Sequence, residues 1–300
     1  MKTQSHGGQR IFPAGRAWIR RSGLLMLDGW DRFRGRRPPL LPPRRLMEDV
    51  GWGAFREFGE AFLEQARELG GLRPSDRVLE IGCGVGRMAI PMADYLSTGA
   101  YEGLDVNRRA VRWCQRHVTP QYPDFRFHFV DLYNQRYNRR GSIPAASVRF
   151  PYPDEAFDFV FLTSVFTHML PPDLRHYIAE IARVLRPGRR CLLTLFLLDD
   201  VASGLVAAGG GLPRFSFPLD GAPFACRIAD RRNPEAAIAY PEADLLEWLS
   251  AGGLPAVPPI HYGTWSGRAD GRWYQDVLVV ERVQDRDHRC AAADSSCPTA

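Results

Sequence analysis

Residues 77–87 read Arg-Val-Leu-Glu-Ile-Gly-Cys-Gly-Val-Gly-Arg. An apolar strand (Val78, Leu79, Ile81) runs straight into three glycines at alternate positions, Gly82, Gly84 and Gly86. A helix-compatible run, Arg87-Met-Ala-Ile-Pro-Met-Ala, follows. Glycines so placed let the backbone turn tightly and let a ligand approach without meeting a Cβ. The spacing restricts the ligand. A dinucleotide loop reads G-x-G-x-x-G, whereas this one reads E-x-G-x-G-x-G with Glu80 ahead of the first glycine. A carboxylate there repels a pyrophosphate and suits a cation, such as a sulfonium that also carries an ammonium group.

Strand and helix patterns alternate through the rest of the chain. Phe55, Phe58, Phe62, Ala66 and Leu69 recur at steps of three and four, which predicts an amphipathic helix over 47–70 with that face inward. Strand 77–81, helix 86–96, strand 100–105, helix 107–117 capped by Asn107, and strand 125–130 come next. Beyond them lie strand 157–162, helix 173–185 capped by Asp173, strand 190–197, a helix from Glu242, and a last strand over 274–281. Such alternation predicts an α/β fold, a parallel sheet covered by helices on both faces. Two connections exceed ordinary loop lengths, 132–153 and 199–240. Both leave the carboxyl ends of strands, where open α/β sheets place ligands, so both are expected to cover a substrate.

The read-out of charge argues against a nucleic-acid surface. The chain has 300 residues, is 45% hydrophobic and carries a net charge of +5. Residues 1–46 hold eleven basic and two acidic residues, which leaves 28 basic against 32 acidic in the remainder. A net-negative globular part is not an electrostatic footprint for RNA or DNA. The head, 1–46, is expected to be a loosely ordered Pro/Arg-rich leader, although Ile11, Phe12, Trp18, Ile19, Leu24, Leu25 and Trp30 keep a membrane-surface or partner-docking role open. Residues 285–300 read as a flexible tail. The longest apolar run, 191–198, falls far short of the ~20 residues a membrane span needs. The six cysteines form no C-x-x-C pair and no zinc spacing, so no metal is expected and a cytoplasmic location is.

With those motifs in view, the chain resembles the class I S-adenosylmethionine (SAM)-dependent methyltransferases over roughly 70–200, and more loosely over 240–283. Glu80, Gly82, Gly84 and Gly86 match the family's first motif. Asp105, closing Tyr101-Glu-Gly-Leu-Asp-Val, matches the acid that binds the ribose hydroxyls. Asp131, ending Phe125-Arg-Phe-His-Phe-Val-Asp, matches the acid near the adenine amine. Phe157-Asp-Phe-Val-Phe-Leu-Thr matches the fourth strand. Leu185-Arg-Pro-Gly matches the turn before the fifth, although Arg189 stands where the family often has a second glycine. The resemblance implies a Rossmann-like sheet of seven strands, mostly parallel with an antiparallel last strand, over a domain at 47–284. It also implies SAM as methyl donor and S-adenosylhomocysteine (SAH) as product. Cys83, Arg87, Val106, Leu132 and Thr163 would join the motif residues around the donor.

Methyl transfer from a sulfonium needs alignment and exclusion of water more than covalent help, and a base only for a hydroxyl acceptor. His168, just past the fourth strand, is the one histidine placed to take such a proton; it can equally orient its loop. His117, His128 and His261 have no carboxylate at motif spacing, and His176 lies mid-helix. Tyr133, Asn134, Tyr137 and Asn138 on the first long connection, with Trp265 from the far end, suit an acceptor carrying a ring. The expected activity is therefore methyl transfer to a small molecule, most readily at a hydroxyl oxygen. An RNA or protein methyltransferase docking through the head is the alternative, and a silent SAM-binding module a third. Nothing in the sequence sets an oligomeric state.

Overall fold

A computed structural model describes residues 40–47, 54–221 and 224–284, with isolated positions 26, 28, 30 and 34. The tail at 285–300, most of the head, and the start of the helix expected at 47–70 lie outside the described residues. In chain order the elements are α1 (Arg44–Met47), α2 (Phe55–Glu68), β1 (Arg77–Ile81), α3 (Ala89–Tyr95), β2 (Ala100–Asp105), α4 (Arg108–His117) and β3 (Phe125–Phe129). Then come β4 (Phe157–Thr163), α5 (Pro171–Val184), β5 (Leu185–Leu195), β6 (Leu197–Leu198), α6 (Asp200–Ala207), β7 (Phe217–Pro218) and β8 (Arg227–Ile228). Last are β9 (Ile238–Pro241), α7 (Glu242–Ala251), β10 (Ala256–His261) and β11 (Asp276–Glu281).

Seven strands form one sheet in the order β10-β11-β5-β4-β1-β2-β3. β5, β4, β1, β2 and β3 run parallel, while β11 lies antiparallel to β5 and β10 antiparallel to β11. Alternate side chains feed two cores, as strand periodicity requires. Leu79, Ile81, Leu104, Val160, Leu162 and Leu193 face α5 and α7. Val78, Tyr101, Phe159, Phe161 and Leu192 face α2, α3 and α4. The chain crosses back from β3 to β4, so β1 and β4 are neighbours whose connections leave in opposite directions. The crevice at their carboxyl ends is the point where open α/β sheets receive ligands.

Asn107 caps α4 as expected, its side chain accepting from the amides of Arg109 (3.1 Å) and Ala110 (3.2 Å). Four expectations need correction. α5 starts at Pro171 rather than Asp173, because Pro at the first helical position has its φ preset and no amide to lose; Asp173 sits in the first turn instead. Phe58 is exposed, not inward. It lies about 60° around the helix from Phe55, at the rim of a stripe centred on Phe62 and Ala66, and Gly59 takes the close approach to α3 on the other side. The boundary of the head at 46 cuts through packed chain, since Leu40, Leu41, Leu46 and Met47 rest on the second core. Connection 199–240 is not an open loop: it holds α6, β7, β8 and β9, which with β6 make a second sheet in the order β6-β9-β8-β7. A third core of Phe196, Leu198, Val206, Phe215 and Trp265 lies beneath it.

Arg189 has taken over a structural task at the opposite end of the sheet. Its Nε donates to the Asp158 carbonyl at 2.8 Å and its guanidinium pairs with Asp76. Gly188 alone supplies the left-handed backbone there, at φ +72°.

Candidate active site

The glycine loop sits at the β1–β4 crevice. Gly82, Gly84 and Gly86 have φ of +85°, +51° and +74°, all in the left-handed region that disfavours side chains. A Cβ on Gly82 would stand 2.5 Å from Val165 Cγ2, so the glycine also admits the chain leaving β4. The loop amides are held by the end of β2. Gly82 N and Cys83 N donate to the Leu104 carbonyl at 2.7 and 3.0 Å, and Gly84 N donates to Asp105 Oδ2 at 2.7 Å. The other Asp105 oxygen accepts from Asn107 N at 2.6 Å. Asp105 thus ties the glycine loop to the start of α4.

Glu80 is 2% exposed, and its partner is the Tyr101 hydroxyl of β2 rather than a loop amide. Burial pushes its carboxyl up to about 8, with Asp105 adding repulsion and Tyr101 opposing. At neutral pH it is therefore largely protonated, and a cation binding beside it would draw the proton off. Arg87 lays its guanidinium over Phe55 (5.4 Å) and Phe58 (5.1 Å), which fastens α2 across the loop. Burial draws Arg87 down to about 10, against the pull of Glu80. Cys83 is buried in the second core and Leu132 in the first, so each offers only its backbone to the crevice. The Leu132 carbonyl is already taken by Asn138 Nδ2 at 2.9 Å. Val106 is partly buried against the first core, and half-buried Thr163 ends β4 opposite Thr194. Asp131 binds its own loop, accepting from Ser142 Oγ at 2.8 Å.

On the opposite side of the crevice the two long connections meet over His168. Its Nδ1 faces the Glu235 carbonyl at 2.9 Å, and a carbonyl can only accept, so Nδ1 carries the proton. Nε2 therefore accepts from the Tyr137 hydroxyl at 3.2 Å. Asn134 Nδ2 donates to the His168 carbonyl (3.3 Å), while Asn134 Oδ1 accepts from Arg136 N and Tyr137 N. Gln135 N donates to Glu235 Oε2 at 2.5 Å. Asn134 and Asn138 are hence spent on building the loop, and Tyr133 and Tyr137 are the members of the cluster with exposed faces. Burial, then the nearby Arg136 charge, draws the His168 imidazole down to about 4.

That shift has a sign. A histidine depressed from 6.5 to about 4 stabilises the fold fully above pH 6.5, and the contribution is lost as pH falls through 4. Roughly 3 kcal/mol is at stake as an upper figure. Glu80 is shifted the opposite way and favours the folded state as pH falls. The informative measurement is therefore the difference between wild type and His168→Gln in urea unfolding at pH 7 and pH 4. The variant should lose less stability on acidification; equal losses would refute the assignment.

Trp265 does not belong to this site. It is 1% exposed, packed edge-on against Phe196 and Phe215, with its indole N–H donated to Asp276 Oδ2 at 2.7 Å. His128 does meet a carboxylate, Glu102 Oε2 at 2.7 Å, because parallel pairing of β2 and β3 brings together residues 26 apart. His176 Nε2 lies 2.6 Å from the Val148 carbonyl and His117 Nδ1 lies 2.9 Å from that of Trp113, both structural. Tyr101, Arg136 and Glu235 escape sequence reasoning, since their partners are distant in the chain. Among the described residues no group of three or more His, Cys, Asp or Glu could hold a metal ion, and no helix is long and apolar enough to cross a membrane.

Residues 79–193 match the family model for a methyltransferase domain. The 27-O-demethylrifamycin SV methyltransferase of Amycolatopsis mediterranei is 36% identical over 141 residues, covering 45% of this chain and 44% of that protein. A tRNA N(3)-cytidine methyltransferase of Gallus gallus is 35% identical over 139 residues, covering 44% of this chain and 33% of that protein. The chain thus spans less than half the length of either relative. The crystal structure of the PH0226 protein from Pyrococcus horikoshii shares the fold, with a TM-score of 0.50 and 16% identity over 78% of this chain and 93% of that one.

Proposed function

From the premise that the chain belongs to the class I SAM-dependent methyltransferases, we propose that it methylates a small molecule at a hydroxyl oxygen. The observation that carries this reading is that an Asp105-braced glycine loop and a tyrosine-bearing cover both stand at the carboxyl ends of the parallel strands. The loop residues suit SAM. Three glycines at positive φ keep it clear of side chains, and Glu80 and Asp105 supply the acceptors that an ammonium and a diol need. SAM when bound supplies an already activated methyl group on a sulfonium, so the chain's task is to align and to exclude water.

Asp105, Asp131 and the backbone of the glycine loop hold the donor in this reading. Tyr133 and Tyr137 offer ring faces to the acceptor. His168 acts through Tyr137 and orients it: its imidazole is a poor base at neutral pH, and the one lone pair it has is occupied. The acceptor proton then passes to solvent.

Methyl-tritiated SAM incubated with the protein and a metabolite extract should yield a labelled small organic product, suppressed by SAH. The tRNA relative makes bulk tRNA the necessary second arm, although the net-negative body of the chain argues against it. Label in tRNA instead would overturn the acceptor class, and failure to bind SAM would overturn the whole reading. His168→Gln should keep SAM affinity and lose less than about tenfold in turnover, whereas a general base would be worth ~10²–10⁴-fold.

A further inference from the structure

Three polar side chains from three different strands converge at the carboxyl edge of the sheet, outside the motifs already described. Ser164 follows β4, Thr194 lies near the end of β5, and Gln275 immediately precedes β11. Because β11 is antiparallel, its first residue stands at the edge where β4 and β5 end, with Asp276 opposite Leu195. Ser164 Oγ and Thr194 Oγ1 both donate to Gln275 Oε1, each at 2.7 Å. Thr194 Oγ1 in turn accepts from Ser164 N at 2.9 Å, which leaves its own proton for Gln275. Ser164 holds φ of +60°, a strained position for a residue with a side chain. The next residue, Val165, is the one a Cβ on Gly82 would strike.

In this arrangement Gln275 turns its Oε1 to the two hydroxyls and its Nε2 away from them. Its oxygen accepts from two hydroxyls, and among the described residues its Nε2 has no hydrogen-bond partner. Gln275 is half-buried at the carboxyl edge of the sheet, where a bound acceptor would be within reach of its two N–H donors. The strand order places it. Asp105 ends β2, on the donor side of β1, whereas β11 lies three strands to the other side, at ~4.8 Å per strand. With a donor held by the glycine loop and Asp105, over β1 and β2, the carboxyl ends of β4 and β5 and the start of β11 would be left on that side of the sheet edge for an acceptor.

We infer that Gln275 is a specificity-determining residue for the acceptor, presenting its amide N–H pair to an uncharged oxygen of the molecule to be methylated. The inference rests on the proposed donor site. Ser164 and Thr194 are positioning residues that hold the amide. A site built to donate to a substrate oxygen discriminates strongly against molecules that lack it, because the donors are otherwise left unpaired.

The test uses Gln275→Glu, which keeps an oxygen for both hydroxyls and removes the N–H pair, and Gln275→Leu, which removes both. SAH affinity by calorimetry should stay within about twofold for Gln275→Glu, and transfer of tritium from SAM to the product formed from the extract should fall at least roughly tenfold, the value of one hydrogen bond. Undiminished transfer in Gln275→Glu would overturn the inference, and so would a matching loss of SAH affinity, which would move Gln275 to the donor. If the wild-type protein binds SAH but labels no product, the proposed function fails, and the placement of Gln275 is then read directly. The Gln275 side-chain amide resonance of the SAH-loaded protein, identified by its loss in Gln275→Glu, should shift with phenol or benzyl alcohol and not with toluene. A resonance unmoved by all three would overturn the inference.

Discussion

Asp105→Ala should cut SAM affinity at least tenfold, which calorimetry against wild type would read. Asp105 makes two backbone bonds, to Gly84 N at 2.7 Å and Asn107 N at 2.6 Å, and both anchor the loop that would carry the donor. Truncation releases the Gly84 amide and removes the carboxylate proposed to receive the ribose hydroxyls. Charge-assisted bonds are worth roughly 1.5–3 kcal/mol each, so loss of even one accounts for the tenfold. Asp105→Asn is not a mild substitute, since its NH2 would face one of the two amides that now donate. A double-mutant cycle with a dideoxy-ribose analogue of SAH separates the two contributions. If the variant is indifferent to the missing hydroxyls, Asp105 contacts the ribose. If both proteins lose equally, Asp105 only braces the loop, and unchanged SAM affinity would remove the residue from the site.

Asp276→Ala should be the most destabilising single change in the acceptor half. The carboxylate is 2% exposed and accepts from Leu197 N (2.6 Å), Gly263 N (2.7 Å) and Trp265 Nε1 (2.7 Å). Removing it strands three buried donors, at ~1–3 kcal/mol each, so a loss of at least about 3 kcal/mol is expected. Limited proteolysis should then open first between 196 and 275, where Trp265 and Phe196 share the third core. Burial pushes Asp276 up to about 6 even against two backbone amides, the Trp265 indole N–H and the Arg268 charge. A carboxyl raised from 3.8 binds its proton more tightly when folded, so this contribution to stability is present at low pH and lost as pH rises from 3.8 through 6. That component of the slope should vanish in Asp276→Ala, and a melting midpoint within a degree or two of wild type would sink the prediction.

The donor half was legible because its signals are local. β1 and β2 coincide with the apolar runs at 77–81 and 100–105, and Asn107 caps the helix it precedes. The acceptor half was not. β10 contains Pro258 and Pro259, which argue against a strand; they are tolerated because β10 is at the sheet's edge, with its register slipping between Val257 and His261. β7 and β8 are two residues each, below any periodic signal. Trp265 reads as a candidate ring for a ligand and turns out to be core, since the carboxylate that satisfies its indole lies eleven residues away across a turn. Gln275 carries no signal at all, a single amide whose meaning comes from two hydroxyls 81 and 111 residues earlier.

The third core sets the terms on which this half can change. Phe196, Phe215 and Trp265 pack among themselves and their neighbours on the second sheet, separate from the two cores that hold the main sheet together. The methyltransferase model stops at 193, two residues before β5 ends. Neighbouring residues on the strands of the second sheet, Leu197, Ile228, Ile238 and Tyr240, belong instead to the first core, so a change in the later segment reaches the main sheet through them. Substitutions confined to the face of Phe196, Phe215 and Trp265 are the ones whose effect stays local, and those facing the first core carry it across the molecule.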